Sequence, residues 1–288
     1  MSFTLRGAVL VACGLLMVVG SSSSASTGST VPPVSAADKV LLRGAEERLI
    51  HDCMAGAGFA YFEKPAVSGA GQPDFPYVVD DVAWARANGY GAAPVAPPAD
   101  PTGQYFARLS KEKQDAWRTA LVGSGKQLSV ELEPGRRLSA SDKGCIASAR
   151  RTLYGDLPRW YKARRLTDNL GFLVQDRVRR DGRYLAAMAE WAGCVKGLGY
   201  DADDPGELRE VVAERNEGAA ASAVRAAEVE ATVAEATCAQ STSLARTLRE
   251  VEPGHRAAVI AERRSELAGL NGLEQAAVPR AKVVLGNH

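Results

Sequence analysis

Three histidines, five cysteines and three acidic doublets are the side chains of this 288-residue chain with the clearest potential for chemistry. His51, His255 and His288 stand apart, and none belongs to H-E-x-x-H or another metal-ligand spacing. His51 and Cys53 are two residues apart, which on a helix turns them to different faces and gives no thiolate–imidazole pair. No G-x-S-x-G elbow occurs. CxxC is absent too, which argues against thiol exchange and structural zinc. The doublets Glu46-Glu47, Asp80-Asp81 and Asp203-Asp204 would serve a glycosidase only if two carboxyls met across a cleft. The sequence therefore names no catalytic residue, no metal ligand and no cofactor-binding residue, and it implies no cofactor.

The cysteines carry a different message. Residues 50–59 read IHDCMAGAGF and residues 191–200 read WAGCVKGLGY. Aligned on the cysteine, both follow C-[MV]-x-G-x-G-[FY], 141 residues apart. The pattern reads as a helix ending. Gly58 and Gly199 take the C′ position, where φ must be positive. Phe59 and Tyr200 follow as C″, and would pack on Met54 and Val195 four residues before each glycine. A dinucleotide loop is disfavoured, because its glycines must open a helix after a strand. With Cys13 set aside as part of a leader, Cys53, Cys145, Cys194 and Cys238 remain, enough for two disulfides. Each capped cysteine helix is followed by one further cysteine in a helical stretch, which favours Cys53–Cys145 and Cys194–Cys238. Cys53–Cys194 or Cys53–Cys238 would instead tie the two halves together. The favoured pairs close loops of roughly 90 and 45 residues, about 4 kcal/mol each if chain entropy dominates.

The leader itself is MSFTLRGAVLVACGLLMVVGSSSSAS: one basic residue, Arg6, an apolar run from Ala8 to Gly20, then small residues. This order matches a secretory signal peptide, and thirteen apolar residues fall short of a comfortable membrane span. Small residues permit cleavage after Ala25 or Ser26, or later after Ala36 or Ala37. Leu10-Val11-Ala12-Cys13 also resembles a lipobox, so lipidation at Cys13 and an uncleaved anchor are the alternatives. All three export the remainder. The expected organisation is a signal peptide at 1–26, a disordered Ser/Thr/Pro linker at 27–37, an N-terminal helical unit at 38–155 and a C-terminal long-helix unit at 156–288, packed on the first.

The elements that must position any site are mainly helical, a bundle-like α fold with one small hairpin at about 126–140. Helices are expected at 38–57, from about Asp80 to Gly89, from Ser110 to Gly123, and from Leu157 to Lys196 with a break near Asp181-Gly182. A Pro-rich connector spans 91–103. Leu128, Val130 and Leu132 alternate ahead of the Pro134-Gly135 turn. Asp204-Pro205-Gly206-Glu207 opens a long helix with a capping box, expected to reach about Glu250. Pro253-Gly254 should break it, with a last helix at about 255–270 and a frayed tail.

Whole-chain charge is near neutral, at +1, and predicts no polyanionic partner. Its distribution is uneven. Residues 143–183 hold eleven Lys/Arg against four Asp, and residues 201–252 hold twelve Asp/Glu against five Arg. The plain expectation is that the two stretches pack together and offset one another. The sharper one is a basic face, Arg159, Lys162, Arg165, Arg177 and Arg180, for an anionic polymer or lipid headgroup.

The order CM…GF, PYVVDDVAWARANGYG, YFARLSKEKQDAWRTALVG, GC…LYGD, W..CV…GY and EVEATVAEATC resembles a group of uncharacterised secreted, cysteine-paired proteins of actinobacteria. It covers most of residues 40–245. The resemblance implies export and topology and transfers no catalytic residue. The expectation is an exported cell-envelope or extracellular protein that binds rather than catalyses. Its partner would be an anionic envelope polymer or another envelope protein, with nucleic acid disfavoured. The alternative is a secreted hydrolase whose carboxylates converge in a cleft.

Overall fold

The computed structural model describes residues 32–65, 73–91, 100–125 and 127–286. The expected signal peptide, the first five residues of the linker and the middle of the Pro-rich connector lie outside these residues. The elements run α1 (Ala36–Gly56), α2 (Val82–Asn88), α3 (Pro101–Ala107), α4 (Lys111–Val122), β1 (Gln127–Glu133), β2 (Arg136–Ser141), α5 (Gly144–Tyr154) and α6 (Leu157–Asp168). They continue with α7 (Leu170–Arg179), α8 (Gly182–Gly197), α9 (Pro205–Arg215), α10 (Ala221–Ser241), α11 (Leu244–Glu262) and α12 (Arg264–Gly286). Among the described residues the chain is mainly α with one hairpin and two disulfides, as its sequence implies.

Both copies of the repeat are Schellman caps. Phe59 N–H donates to Met54 O and Gly58 N–H to Ala55 O, both at 2.9 Å. Tyr200 N–H donates to Val195 O and Gly199 N–H to Lys196 O, both at 3.0 Å. Gly58 has φ 81° and Gly199 φ 92°. Met54 and Val195 are fully buried. Just upstream of each cap a disulfide joins a second helix: Cys53–Cys145 ties α1 to α5, and Cys194–Cys238 ties α8 to α10.

The hairpin pairs Leu128 with Ala140 and Val130 with Leu138, and its register shifts around Leu132. Leu128, Val130 and Leu132 point into the main core beside α6. The two ends of this excursion touch. A Cβ at Gly123 would lie 2.3 Å from Lys143 O, and one at Gly144 would lie 2.4 Å from Gly123 N. Both positions have positive φ, so α4 and α5 meet backbone to backbone and only glycine fits there.

Several expected boundaries move. The stretch 157–197 breaks at Asn169 as well as at Asp181, and the helix opened by Asp204 stops at 215 and again at 241. Three of these stops share a feature. Asn169 Nδ2 donates to Arg165 O, Asn216 Nδ2 to Val212 O and Thr242 Oγ1 to Cys238 O, each at 2.7 Å. A short polar side chain that bonds the carbonyl four residues back competes with helix continuation. Pro253 does not break α11. The buried residues Leu244, Leu248, Val251 and Val259 flank it, and their packing outweighs the lost backbone bond. The tail does not fray: α12 runs to Gly286 and buries Leu270, Ala277 and Ala281. The linker ends earlier than expected, since Val34 is buried, Ser35 caps α1 and Gln275 Nε2 donates to Pro32 O at 2.6 Å. The described residues of the two expected units share one compact body. Within it α1 packs along α12, α12 against α6, α11 against α7 and α8, and α10 against α2 and α9.

At the centre of α8 and α10, Trp191 is fully buried and its Nε1 donates to Glu235 O at 3.1 Å. The Glu235 side chain is itself 0% exposed. Its Oε1 accepts from Val79 N–H at 2.7 Å, which fastens the segment before α2 to α10, and Arg209 Nη2 stands 3.6 Å away. Burial pushes this carboxyl up to about 7, against the Val79 bond and the Arg209 charge, which pull it down.

Two predictions follow from these features. Gly58→Ala and Gly199→Ala should each destabilise by roughly 1 kcal/mol, because alanine is strained at positive φ although nothing lies within 4 Å of either Cβ position. Gly193→Ala, inside α8 with equally open space, should be neutral or stabilising in the same urea titration. For Glu235, the folded carboxyl holds its proton up to about pH 7 whereas the unfolded one releases it near 4.5. Stability therefore falls as pH rises from 4.5 to 7, by up to about 3 kcal/mol. Glu235→Gln keeps the acceptor for Val79 and should flatten this slope. An equal slope in the variant would show that Glu235 is not its source.

Candidate functional site

An open cleft of about 700 Å³ lies between α1, the segment 62–65, the start of α3, α5, α6 and α12. That volume is in the range of small-molecule sites, about 300–1,000 Å³. Its walls follow from helical spacing. Lys39, Arg43, Glu46 and Glu47 share one face of α1, and Trp160, Arg164 and Asp168 recur every four residues along α6. Arg150 and Tyr154 come from α5 in the same way, and Glu274 reaches in from α12.

The floor is aromatic. Tyr154 and Trp160 stack with ring centroids 4.7 Å apart and planes 13° apart. The Arg150 guanidinium lies 4.9 Å from the Trp160 centroid and its Nε donates to Glu46 Oε1 at 2.8 Å. Burial pushes the Tyr154 phenol well above its ordinary range; the Glu46 and Glu274 charges add to this, while Arg164 and Arg150 oppose it. Phe62, at the mouth, is 45% exposed.

The cleft is lined by six carboxylates, and every one is engaged. Arg150 holds Glu46, and Arg48 holds Glu63 at 2.5 Å. Arg164 reaches Asp168 at 2.9 Å and Glu274 at 3.4 Å, and Arg165 stands 3.7 Å from Asp168. Glu47 Oε2 accepts from Tyr61 O–H at 2.9 Å and from Lys64 N–H at 3.0 Å. Asp100 caps α3 through Gly103 N–H. Burial pushes the Glu274 carboxyl up, with Arg164 and Lys39 pulling it back. By contrast, among the described residues no carboxylate oxygen lies within 4 Å of Lys39 Nζ, Lys64 Nζ or the Arg43 guanidinium. The Trp160 Nε1 and Arg165 Nε hydrogens are buried and meet no acceptor among the described residues.

The residues singled out by sequence disperse. Of the basic face, only Arg165 lines the cleft. Lys162 stands 3.9 Å from Glu266, Arg177 forks onto Glu262, and Arg180 binds Asp176 and stands 3.7 Å from Glu133. Arg159 lies against Gly269 of α12. The basic stretch is thus offset by α1, β1, α11 and α12, and none of these partners comes from residues 201–252. Cys53 is in a disulfide and His51 pairs with Asp52 on the surface, which leaves no cysteine nucleophile there. His255 Nε2 contacts Asp181 at 2.9 Å. Asp81 and Asp204 are N-caps, so of the acidic doublets Glu46-Glu47 alone reaches the cleft. Among the described residues no group of three His, Cys, Asp or Glu could hold a metal ion. The sequence reading missed Tyr154, Trp160, Lys39, Arg43 and Glu274. The four-residue spacing of Trp160, Arg164 and Asp168 was a usable signal, whereas nothing local ties Glu274 to α1 or α6.

No protein-family model, curated protein or solved structure matches this chain.

Arg164 is the shared partner of two carboxylates, one of them, Glu274, buried. Arg164→Ala should destabilise by about 1–3 kcal/mol at pH 7, because Glu274 is left without its cation. The loss should shrink at pH 5, where the raised Glu274 carboxyl takes up a proton more readily. Adding Glu274→Gln should restore much of it. A loss independent of both pH and Glu274 would mean that Arg164 acts by packing alone.

Proposed function

We propose that this is an exported protein of the cell envelope or extracellular space that works as a binding protein, without catalysis, through the α1–α5–α6–α12 cleft. The observation that carries the reading is the state of the cleft's carboxylates. General acid–base or nucleophilic hydrolysis needs one carboxyl free to give or take a proton and another free to attack or to activate water. Here Glu46, Glu63, Asp168 and Glu274 hold arginines, Glu47 holds a phenol and a backbone N–H, and Asp100 caps a helix. What remains uncommitted is cationic and aromatic, which suits holding a ligand.

Export is supported separately. The N-terminal residues have the order of a signal peptide, and every cysteine from Cys53 onward is in a disulfide, which fits an oxidising compartment. Among the described residues no helix is long and apolar enough to cross a membrane. Resemblance to secreted actinobacterial proteins points the same way.

The reading is tested by expressing the full chain in an actinobacterial host, recovering the exported product and assaying it. Its intact mass should correspond to a start after Ala25 or Ser26. Retention of residues 1–24, or a lipidated start at Cys13, would replace the cleaved-signal reading with an anchored one. Chromogenic glycosides, esters and peptides should remain uncleaved. Turnover that disappears in Glu274→Gln or Glu46→Gln would establish the hydrolase instead.

A further inference from the structure

Resting on the reading of this cleft as a binding site, we propose that its ligand is an acidic carbohydrate, a polyhydroxylated ring compound bearing a carboxylate or phosphate. Three features of the cleft converge on this chemistry.

The first is the sign of the uncommitted charge. Lys39 and Arg43 are exposed on one face of α1, one turn apart, and Lys64 stands on the opposite lip. Among the described residues none of the three holds a carboxylate, whereas every carboxylate of the cleft is engaged. A cationic or zwitterionic ligand would find no free counter-charge for its ammonium. An anion would find Lys39 and Arg43 placed side by side to grip it, with Lys64 opposite.

The second feature is unused acceptor capacity. An ionised carboxylate has about four lone-pair sites. Glu46 receives Arg150 on Oε1 and Glu63 receives Arg48 on Oε1, so each retains a second oxygen with no hydrogen bond among the described residues. These oxygens need neutral donors. A simple apolar anion would place nothing but its own negative charge against them, whereas hydroxyl groups donate to them directly. The ligand must therefore carry O–H donors as well as an anionic group.

The third is the apolar surface. Phe62 is exposed at the mouth, while the stacked Tyr154–Trp160 pair is buried beside the Arg150 guanidinium and backs the site from beneath. A sugar ring presents C–H groups on one face and hydroxyls around its edge, which matches the exposed Phe62 ring bordered by carboxylates and guanidinium groups. The volume accommodates a short oligosaccharide rather than a single ion.

The test is isothermal titration calorimetry on the exported full chain. The probes are trigalacturonic acid for the carboxylate, trehalose phosphate for the phosphate, maltotriose as a neutral sugar, acetate as a bare anion and trialanine as a zwitterion. One or both acidic sugars should bind at least about tenfold tighter than maltotriose and acetate, as charged hydrogen bonds of this kind imply. The ranking of the two acidic probes identifies the anion. Lys39→Gln with Arg43→Gln should cost the acidic sugar about tenfold or more and leave maltotriose unchanged. Melting temperature, followed in parallel, should move little, since among the described residues neither side chain has a carboxylate within 4 Å and Lys39 acts on Glu274 only from farther away; if it does move, Lys39→Arg with Arg43→Lys should restore both stability and binding. Equal affinity for neutral and acidic sugars, no loss in the double variant, or no binding of either acidic sugar would overturn the proposal. Trialanine binding without sugar binding would overturn the carbohydrate while leaving the cleft as a binding site. Hydrolysis of a probe would overturn the non-catalytic reading as well.

Discussion

Two of the long helices, α10 and α12, bury few large aliphatic side chains, and much of the architecture follows from that. α10 buries three alanines, a threonine, a cysteine and Glu235, with no large aliphatic residue among them. α12 buries Leu270, Glu274, Ala277 and Ala281. Alanine lets helix backbones approach closely but removes little apolar surface from water, at about 25 cal/mol per Å². Helices of this kind need fixing by other means. α10 has a disulfide to α8, the Trp191 indole on a backbone carbonyl and the Glu235 bond to Val79. The larger side chains, Trp160, Leu166, Val174 and Trp191, sit on the shorter helices α6 to α8, which form the apolar centre around which the alanine-rich helices pack.

This division explains what the sequence disclosed. Capping signals are local: glycine before an aromatic, aspartate before proline, serine before a charged first turn. They located the ends of α1, α4, α8 and the start of α9 within a residue or two. The disulfide pairing followed from the order of those helices. Signals that depend on competition were harder. Asn169, Asn216 and Thr242 each end a helix while bonding the carbonyl four residues back, yet Thr119 and Thr232 make the same bond and their helices continue. Pro253 is the converse, a strong local stop overridden by buried residues on both sides.

The cleft was the least legible part, because it is assembled from α1, the consecutive pair α5 and α6, and α12, three places distant in sequence. The local patterns on α1 and α6 are ordinary charged faces when read singly. They become a site because α12 brings Glu274 within reach of Arg164, and because Cys53–Cys145 sets α5 against α1 so that Arg150 meets Glu46. The same contacts that bind the fold together neutralise the carboxylates. Structural ion pairing and the character of the site are therefore one arrangement, in which acid groups are committed to the scaffold and the exposed cations of α1 are left to face solvent.

The pairing of α1 with α12 also bears on when the molecule can become whole. α1 is made early and α12 more than two hundred residues later. At ordinary rates of about 5–20 residues per second, α1 waits tens of seconds at the ribosome before its main partner exists. During that interval Leu42 and Ala45, fully covered in the finished fold, lack the helix that covers them. Closing so wide a loop is slow and entropically unfavourable, which makes the joining of the two ends a natural late event. The cleft, whose walls include both helices, is consequently among the last features to form. A chain cut short before α12 would retain its caps and both pairs of cysteines but would have no complete site.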